Sequence, residues 1–309
     1  MDDQFIQTII IGISNGLIYA LVALGYTLVY GIIELINFAH GDVFMLGSMF
    51  ALTLLVAFGV TTGTPVLTLV LLVLLVLAIT MIVTAVLNTA IERVAYRPLR
   101  NAPRLAPLIS AIGMSFVLQN VGLLWKGPAN LGFPAVIPDA SILADLGIQV
   151  GFAITYKQAF VAAITIPLLI GLTWFITNTR QGKAMRATAQ DADTAGLMGI
   201  DVNRTIAITF VIAGALAGAA GLVQILYNNS TVWNLGFRFG LNAFTSAVLG
   251  GIGNLQGAVL GGVVLGLINA FSDRYFSAQW TNAVVFAVLI AILVFRPTGL
   301  LGQQLADRA

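Results

Sequence analysis

Apolar residues run through this chain in blocks of about twenty, and polar residues gather between the blocks instead of alternating within them. The clearest block, residues 67–87 (LTLVLLVLLVLAITMIVTAVL), carries no charge. A helix of that length crosses a hydrocarbon core of ~30 Å. Blocks of the same kind predict spanning helices over 67–90, 105–125, 159–177, 205–227 and 282–295. Two stretches break the pattern. Residues 21–47 (LVALGYTLVYGIIELINFAHGDVFMLG) run apolar to Gly31, turn polar, and become apolar again after Gly41. Residues 243–266 (AFTSAVLGGIGNLQGAVLGGVVLG) do the same around Gly250, Gly251 and Gly257. Residues 241–249 are too short to cross, so a turn at 254–257 and a return over 258–270 predict a hairpin of short or broken helices. Irregular backbone at membrane depth survives only where protein or a water-filled cavity surrounds it.

Composition agrees. Hydrophobic residues make up 59% of the 309, charged residues 8%, and mean hydropathy is +0.99. A soluble domain carries roughly a quarter charged residues. The fold class is therefore all-α, a polytopic transmembrane bundle forming a single domain over 1–309. The absence of cysteine excludes disulfides and thiolate chemistry. A net charge of +2, spread over short loops, gives no basic surface for nucleic acid. The acidic start (MDDQ) does not read as a cleaved leader.

Charge sets the expected orientation. The first 92 residues hold no Lys or Arg. Ten of the fourteen basic residues lie in three places: Arg93, Arg97, Arg100 and Arg104; Arg180, Lys183, Arg186 and Arg204; Arg296 and Arg308. Cytoplasmic loops are enriched in Lys and Arg. The segments 92–104, 178–204 and 296–309 are thus expected inside, the last as a C-terminal tail beginning at Arg296-Pro297. The segment 126–157, with Lys126 and Lys157, is expected outside together with Arg238 and Arg274, and the N-terminus is placed there too.

The polar cluster at 34–44 (ELINFAHGDVF) holds the only histidine. His40 cannot form a metal site alone, and no H-E-x-x-H exists in the chain. Residues 12–16 (GISNG) match G-x-S-x-G, but that pattern needs a strand-to-helix elbow, and here it sits inside an apolar helix. No catalytic residue is expected. The cluster reads as a helix break, in which Asn37, His40 and Asp42 cap free helix ends and Asp42 meets the positive end of a new helix. Gly31, Gly251 and Gly257 are the matching break positions. Interrupted segments in corresponding halves point to an inverted repeat with a pathway between its parts. Four G-x-x-x-G pairs (Gly12/Gly16, Gly214/Gly218, Gly257/Gly261, Gly262/Gly266) allow close helix approach, and two or three of them are expected to be packing seams.

Residues 184–198, flanked by Gly182 and Gly199, predict one short helix between two spans. It is too polar for the membrane and rich in small residues, and it suits docking into a partner's groove. No G-x-x-x-x-G-K-[ST] motif is present, so ATP-driven work would need another subunit.

The stretches GYTLVYGIIELINFAHGDVFMLG, GKAMRATAQDADTAGLMGI and FTSAVLGGIGNLQGAVLGG, with the terminal RPTGLLG, resemble the permease subunits of high-affinity branched-chain amino-acid ABC importers, the H-type most closely. The resemblance spans essentially the whole chain. It implies a bacterial inner-membrane subunit, a paralogous permease partner (or a second copy), two ATPase subunits that use ATP and Mg, and a periplasmic substrate-binding protein. No cofactor is expected on this chain. Its ATPase-coupling loop maps onto Gly182, Arg186, Ala187, Gln190, Asp191, Ala195 and Gly199, although Gln190-Asp191-Ala192 stands where many such permeases have Glu-Ala-Ala. The cargo within the family extends to other neutral amino acids, amides and urea. An ion-coupled amino-acid carrier is the reading from a different class. The pathway is expected to be lined by Ser14, Asn15, Tyr19, Asn37, Asn242 and Thr245.

Overall fold

A computed structural model of the chain describes residues 3–302 except 101, 104, 149 and 297. Expectations that rest on Arg104, Pro297 and residues 303–309, Arg308 among them, lie outside the described residues.

The chain forms twelve described α-helices: α1 (Asp3–Ile33), α2 (His40–Ala57), α3 (Val66–Ile91), α4 (Leu105–Lys126), α5 (Ile142–Asp145), α6 (Tyr156–Asn178), α7 (Arg180–Gln190), α8 (Ala192–Leu197), α9 (Val202–Asn228), α10 (Leu235–Gly250), α11 (Leu255–Tyr275) and α12 (Thr281–Phe295). Seven helical stretches are long and apolar enough to cross a membrane: α1, α2, α3 with its continuation to Leu99, α4, α6, α9 and α11. The chain is therefore a multi-pass, all-α membrane protein. The spans read at 67–90, 105–125, 159–177, 205–227 and 282–295 coincide with α3, α4, α6, α9 and α12 to within a few residues. Long apolar blocks leave the backbone no partner in lipid except itself, and only a helix satisfies every group within one segment.

Burial divides the bundle into an inner and an outer layer. The apolar windows of α1, α2 and α9 are 78%, 72% and 72% buried, those of α3, α4 and α6 only 17%, 28% and 28%. The outer helices turn large side chains such as Leu71, Ile109 and Ile170 outward, as a lipid-facing surface requires.

All four G-x-x-x-G pairs are seams. A Cβ at Gly12 would meet the backbone at Leu267, one at Gly16 the backbone at Val263, and one at Gly262 the backbone of Ala20, so α1 and α11 run antiparallel at backbone contact. Gly214 and Gly218 receive Thr80, Thr84 and Ala85 of α3, and Gly257 and Gly261 lie on Gly250 and Ser246 of α10. Small residues give the close approach that dispersion needs, because in lipid apolar burial alone does not hold helices together.

One end of the bundle gathers the basic segments. After α3 the chain makes a π-turn (Glu92–Tyr96) and a 3-10 turn (Arg97–Leu99). There Arg100 donates to buried Glu92 and to Asn203 at the start of α9. At the opposite end the 126–157 segment is tied down. Leu131–Gly132 pairs antiparallel with Ser230–Thr231, the Ala153 amide donates to Gln7 Oε1 of α1 at 2.7 Å, and Lys157 donates to Asp139 at 2.9 Å.

Candidate substrate pathway

Two helices begin inside the bundle rather than at its ends. α1 has 31 residues, about 46 Å at ~1.5 Å per residue. It ends at Glu34, whose φ of 52° is left-handed. Residues 34–39 then climb back along α1, and α2 begins with His40 lodged against Gly25 and edge-on to Tyr26, ring centroids 5.0 Å apart. α9 ends the same way at left-handed Asn229 (φ 53°). Residues 229–234 descend along α2, where the Thr231 and Ser48 hydroxyls share a 2.6 Å hydrogen bond, and α10 begins at Leu235. The N-termini of α2 and α10 meet at this depth. Gly236 and Gly240 lie against Gly41, so closely that a Cβ at Gly41 or Gly236 would strike the other helix and one at Gly240 would press on Tyr26 and Gly41. Tyr19, which packs on Phe239 of α10 at 5.3 Å between ring centroids, stands near the midpoint of α1.

The capping expectation needs revision. The N-cap of α2 is Ala39, with no side-chain cap hydrogen bond. Asn37 lies two residues before that N-cap, and its Oδ1 accepts instead from Tyr96 Oη at 2.9 Å. His40 is the first residue of α2 and fully buried. Asp42 lies in the first turn, where its carboxylate suits the positive helix end, and Ser115 of α4 donates to it while Gln119 donates to Ser115 at 3.1 Å. Gly31 is still within α1, facing Gly253, and the break starts three residues later. At the second break, Gly251 (φ 106°) ends α10. The Gly257 amide is capped by Asn254 Oδ1, the N-cap of α11, at 3.1 Å. The segment after Arg296 closes this end: the amides of Leu300 and Leu301 donate to the carbonyls of Leu249 and Gly250 at 2.8 and 3.0 Å.

At mid-depth a cleft of about 300 Å³ opens between α1, α10 and α12, walled by Tyr19, Leu235, Phe237, Arg238, Phe239, Leu241, Asn242, Asn282 and Phe286. Tyr19 and Asn242 are thus brought together as expected of pathway residues. Asn242 and Asn269 of α11 both donate to Tyr19 Oη, at 3.4 and 3.1 Å. Ser14, Asn15, Asn37 and Thr245 are not among the walls. Ser14 instead donates to the Ile10 carbonyl one turn back, at 2.9 Å. Arg238, expected at the outer surface, lies on the first turn of α10 and lines the cleft. Asn269, Ser115 and Gln119 were not foreseen, because each lies within an otherwise apolar block and belongs to no motif.

The loop of 178–204 folds as two helices, not one. Asp191 has extended backbone and acts as N-cap of α8, accepting from the amides of Asp193 and Thr194 at 3.0 Å each. An aspartate whose side chain accepts from first-turn amides is a strong helix start, and it overrides the expected continuation through residue 191. Gly182 packs its backbone on Ile176. Arg186 donates to the carbonyls of Ile176 and Thr177 at the end of α6, fastening α7 there. Ala187 is half-buried and Gln190 exposed. Ala195 is 4% exposed and faces the bundle, whereas Leu197 and Met198, which sequence reasoning missed, are 88% and 80% exposed. Gly199 (φ 86°) ends α8. Behind the pair lies a groove of about 470 Å³ that includes Ile33, Tyr96, Arg100, Asp193 and Asn203.

Broken helices meeting at mid-depth beside a polar cleft, within a bundle of spanning helices, define a membrane permease. The family described as branched-chain amino acid transport system / permease component matches residues 8–293. The chain is 43% identical over 308 residues to the high-affinity branched-chain amino acid transport system permease protein BraD of Pseudomonas aeruginosa, covering 99% of this chain and 98% of the relative. It is 41% identical over 307 residues to the corresponding LivH protein of Escherichia coli, covering 98% and 97%. To the probable branched-chain amino acid transport permease protein LivH of Methanocaldococcus jannaschii it is 29% identical over 289 residues, covering 91% and 88%. No solved structure matches the chain. The chain belongs to the family of branched-chain amino acid transport system permease components.

Proposed function

We propose that this chain is one transmembrane subunit of an ATP-driven inner-membrane importer that carries branched-chain or other neutral amino acids delivered by a periplasmic binding protein. The observation that carries the reading is the α7–α8 pair. It stands at the basic end of the bundle, presenting Leu197 and Met198 outward on a base held by buried Ala195 and by the hydrogen bonds of Arg186. Two large apolar side chains exposed on a short helix suit a groove on a partner, here each ATPase subunit, which binds ATP and Mg and does the hydrolysis. The relatives' names support the cargo.

The excess of Lys and Arg makes the α7–α8 end cytoplasmic, with the C-terminal segment on that side and the start of α1 outside. An ionisable group at bilayer mid-depth is costly unless it faces an interior or a cavity. The α10–α12 face that carries Arg238 is therefore covered by the second permease subunit, a paralogue or another copy, and the pathway runs between the two. The partner expected for the first break lies at 250–257, but the course of α9 into α10 through 229–234 matches that of α1 into α2 instead. These paired courses support an inverted repeat, with both half-helices starting at the pathway. ATP binding closes the ATPase pair, α7 and α8 move with it, and the inward-facing state becomes outward-facing; hydrolysis resets it. Each ligand shifts this equilibrium only by its differential affinity for the two states.

The test is reconstitution of the complete complex in liposomes with the binding protein outside and ATP inside. L-leucine should accumulate only with both. Accumulation by this chain alone under an ion gradient would overturn the reading. Leu197→Ser with Met198→Ser should abolish uptake while leaving membrane insertion unchanged.

A further inference from the structure

The importer reading leaves open which part of a substrate the pathway recognises, and the inference here rests on that reading. Arg238 is exposed in a cleft at the level where α2 and α10 begin. Among the described residues it makes no ion pair or hydrogen bond. Asp273 near the end of α11 is engaged by the Thr281 hydroxyl. A guanidinium stays charged at any physiological pH and offers a planar fork that fits a carboxylate with two parallel hydrogen bonds.

The rest of the cleft complements the rest of an amino acid. Asn242 uses its Nδ2 on Tyr19, which leaves its Oδ1 as an acceptor suited to an ammonium group. Phe239 and Phe286 supply apolar walls for an alkyl side chain, as small-molecule sites commonly do. We propose that Arg238 is the carboxylate-recognising residue of the pathway, so that the cleft between α1, α10 and α12 takes α-amino acids with a free carboxylate and disfavours amides and ureas.

The experiment uses the complete complex in nanodiscs, with L-valine and L-valinamide as probes, read by saturation-transfer NMR. Wild-type complex should give an L-valine signal stronger than that of L-valinamide. Arg238→Gln should raise the apparent Kd for L-valine by about tenfold or more without changing that for L-valinamide. Arg238→Lys, which keeps the charge but loses the fork, should fall between the two. An L-valine signal in Arg238→Gln equal to wild type overturns the proposal. So does failure of both variants to assemble with the partner subunits, which would make Arg238 an interface residue. Uptake by the same wild-type complex reconstituted in liposomes, with the binding protein outside and ATP inside, separates the two readings. A wild type that accumulates no amino acid defeats the importer assignment, whereas a transporting wild type matched by Arg238→Gln defeats only the role of Arg238.

Discussion

Adding one methyl group at Gly16 should push α1 and α11 apart. The new Cβ would fall 2.7 Å from Val263 Cα and 2.9 Å from the Gly262 carbonyl oxygen, both backbone atoms that cannot swing away. Carbon contacts relax at about 3.5–4.0 Å, so α11 must retreat by roughly 1 Å. A gap of that size forfeits about a quarter to a half of the dispersion well for each facing pair, and Gly262 against Ala20 lies on the same seam. The retreat also stretches the 3.1 Å hydrogen bond from Asn269 to Tyr19, at the wall of the cleft. Overpacking of this kind costs about 1–3 kcal/mol, while replacing a helical glycine returns about 0.5–1 kcal/mol. From the middle of those ranges the net loss should be about 1 kcal/mol, and at most about 2.5 kcal/mol. Gly113 in α4 and Gly171 in α6 provide the control, because a Cβ at either meets nothing within 4 Å. Alanine there should be neutral or stabilising by up to about 1 kcal/mol. Thermal unfolding of the purified complex, followed by fluorescence-detected size exclusion, separates the cases. If Gly16→Ala melts with Gly113→Ala at or above wild type, the seam is not at backbone contact and the reasoning fails.

Ser115→Ala removes the donor that Ser115 supplies to buried Asp42. It should cost about 1–3 kcal/mol in the same melting assay, with Ser115→Thr recovering most of the loss. Ala195→Asp places a carboxylate where α8 packs on the bundle. Membrane insertion should be normal and ATP hydrolysis retained, but leucine uptake should fall at least tenfold; full uptake would count against the coupling role of α8. Ser14→Ala removes only a bond to the helix's own backbone and should leave uptake within about twofold of wild type, whereas a nucleophilic serine would lose all activity.

The spanning helices were legible because a block of Leu and Val in lipid has one structural outcome. The same holds for the glycine seams, where spacing alone names the face. What escaped the sequence was depth and partnership. α10 begins at Leu235, before the apolar run that starts at 241, and those extra residues carry Arg238 from the surface into the bundle. The polar residues of 34–42 announced a break but not its hydrogen bonds, since Tyr96 lies 59 residues from Asn37 and Ser115 lies 73 from Asp42. At residue 191 two local signals competed, helix continuation and an aspartate cap, and the cap won. Leu197 and Met198 went unnoticed because exposure of two apolar side chains is a property of the folded loop.

The meeting of α2 and α10 has an electrical consequence. Each helix start carries roughly half a positive elementary charge, and both point at the same level of the bundle from opposite directions, beside Arg238. Asp42 offsets part of this from within the first turn of α2, leaving the level net positive. A hydrated sodium or potassium ion wandering into the pathway as it switches would meet this field at the point where solvent screens it least. The same level should therefore admit cations poorly, so that sodium or potassium leak through the complex reconstituted in liposomes stays low.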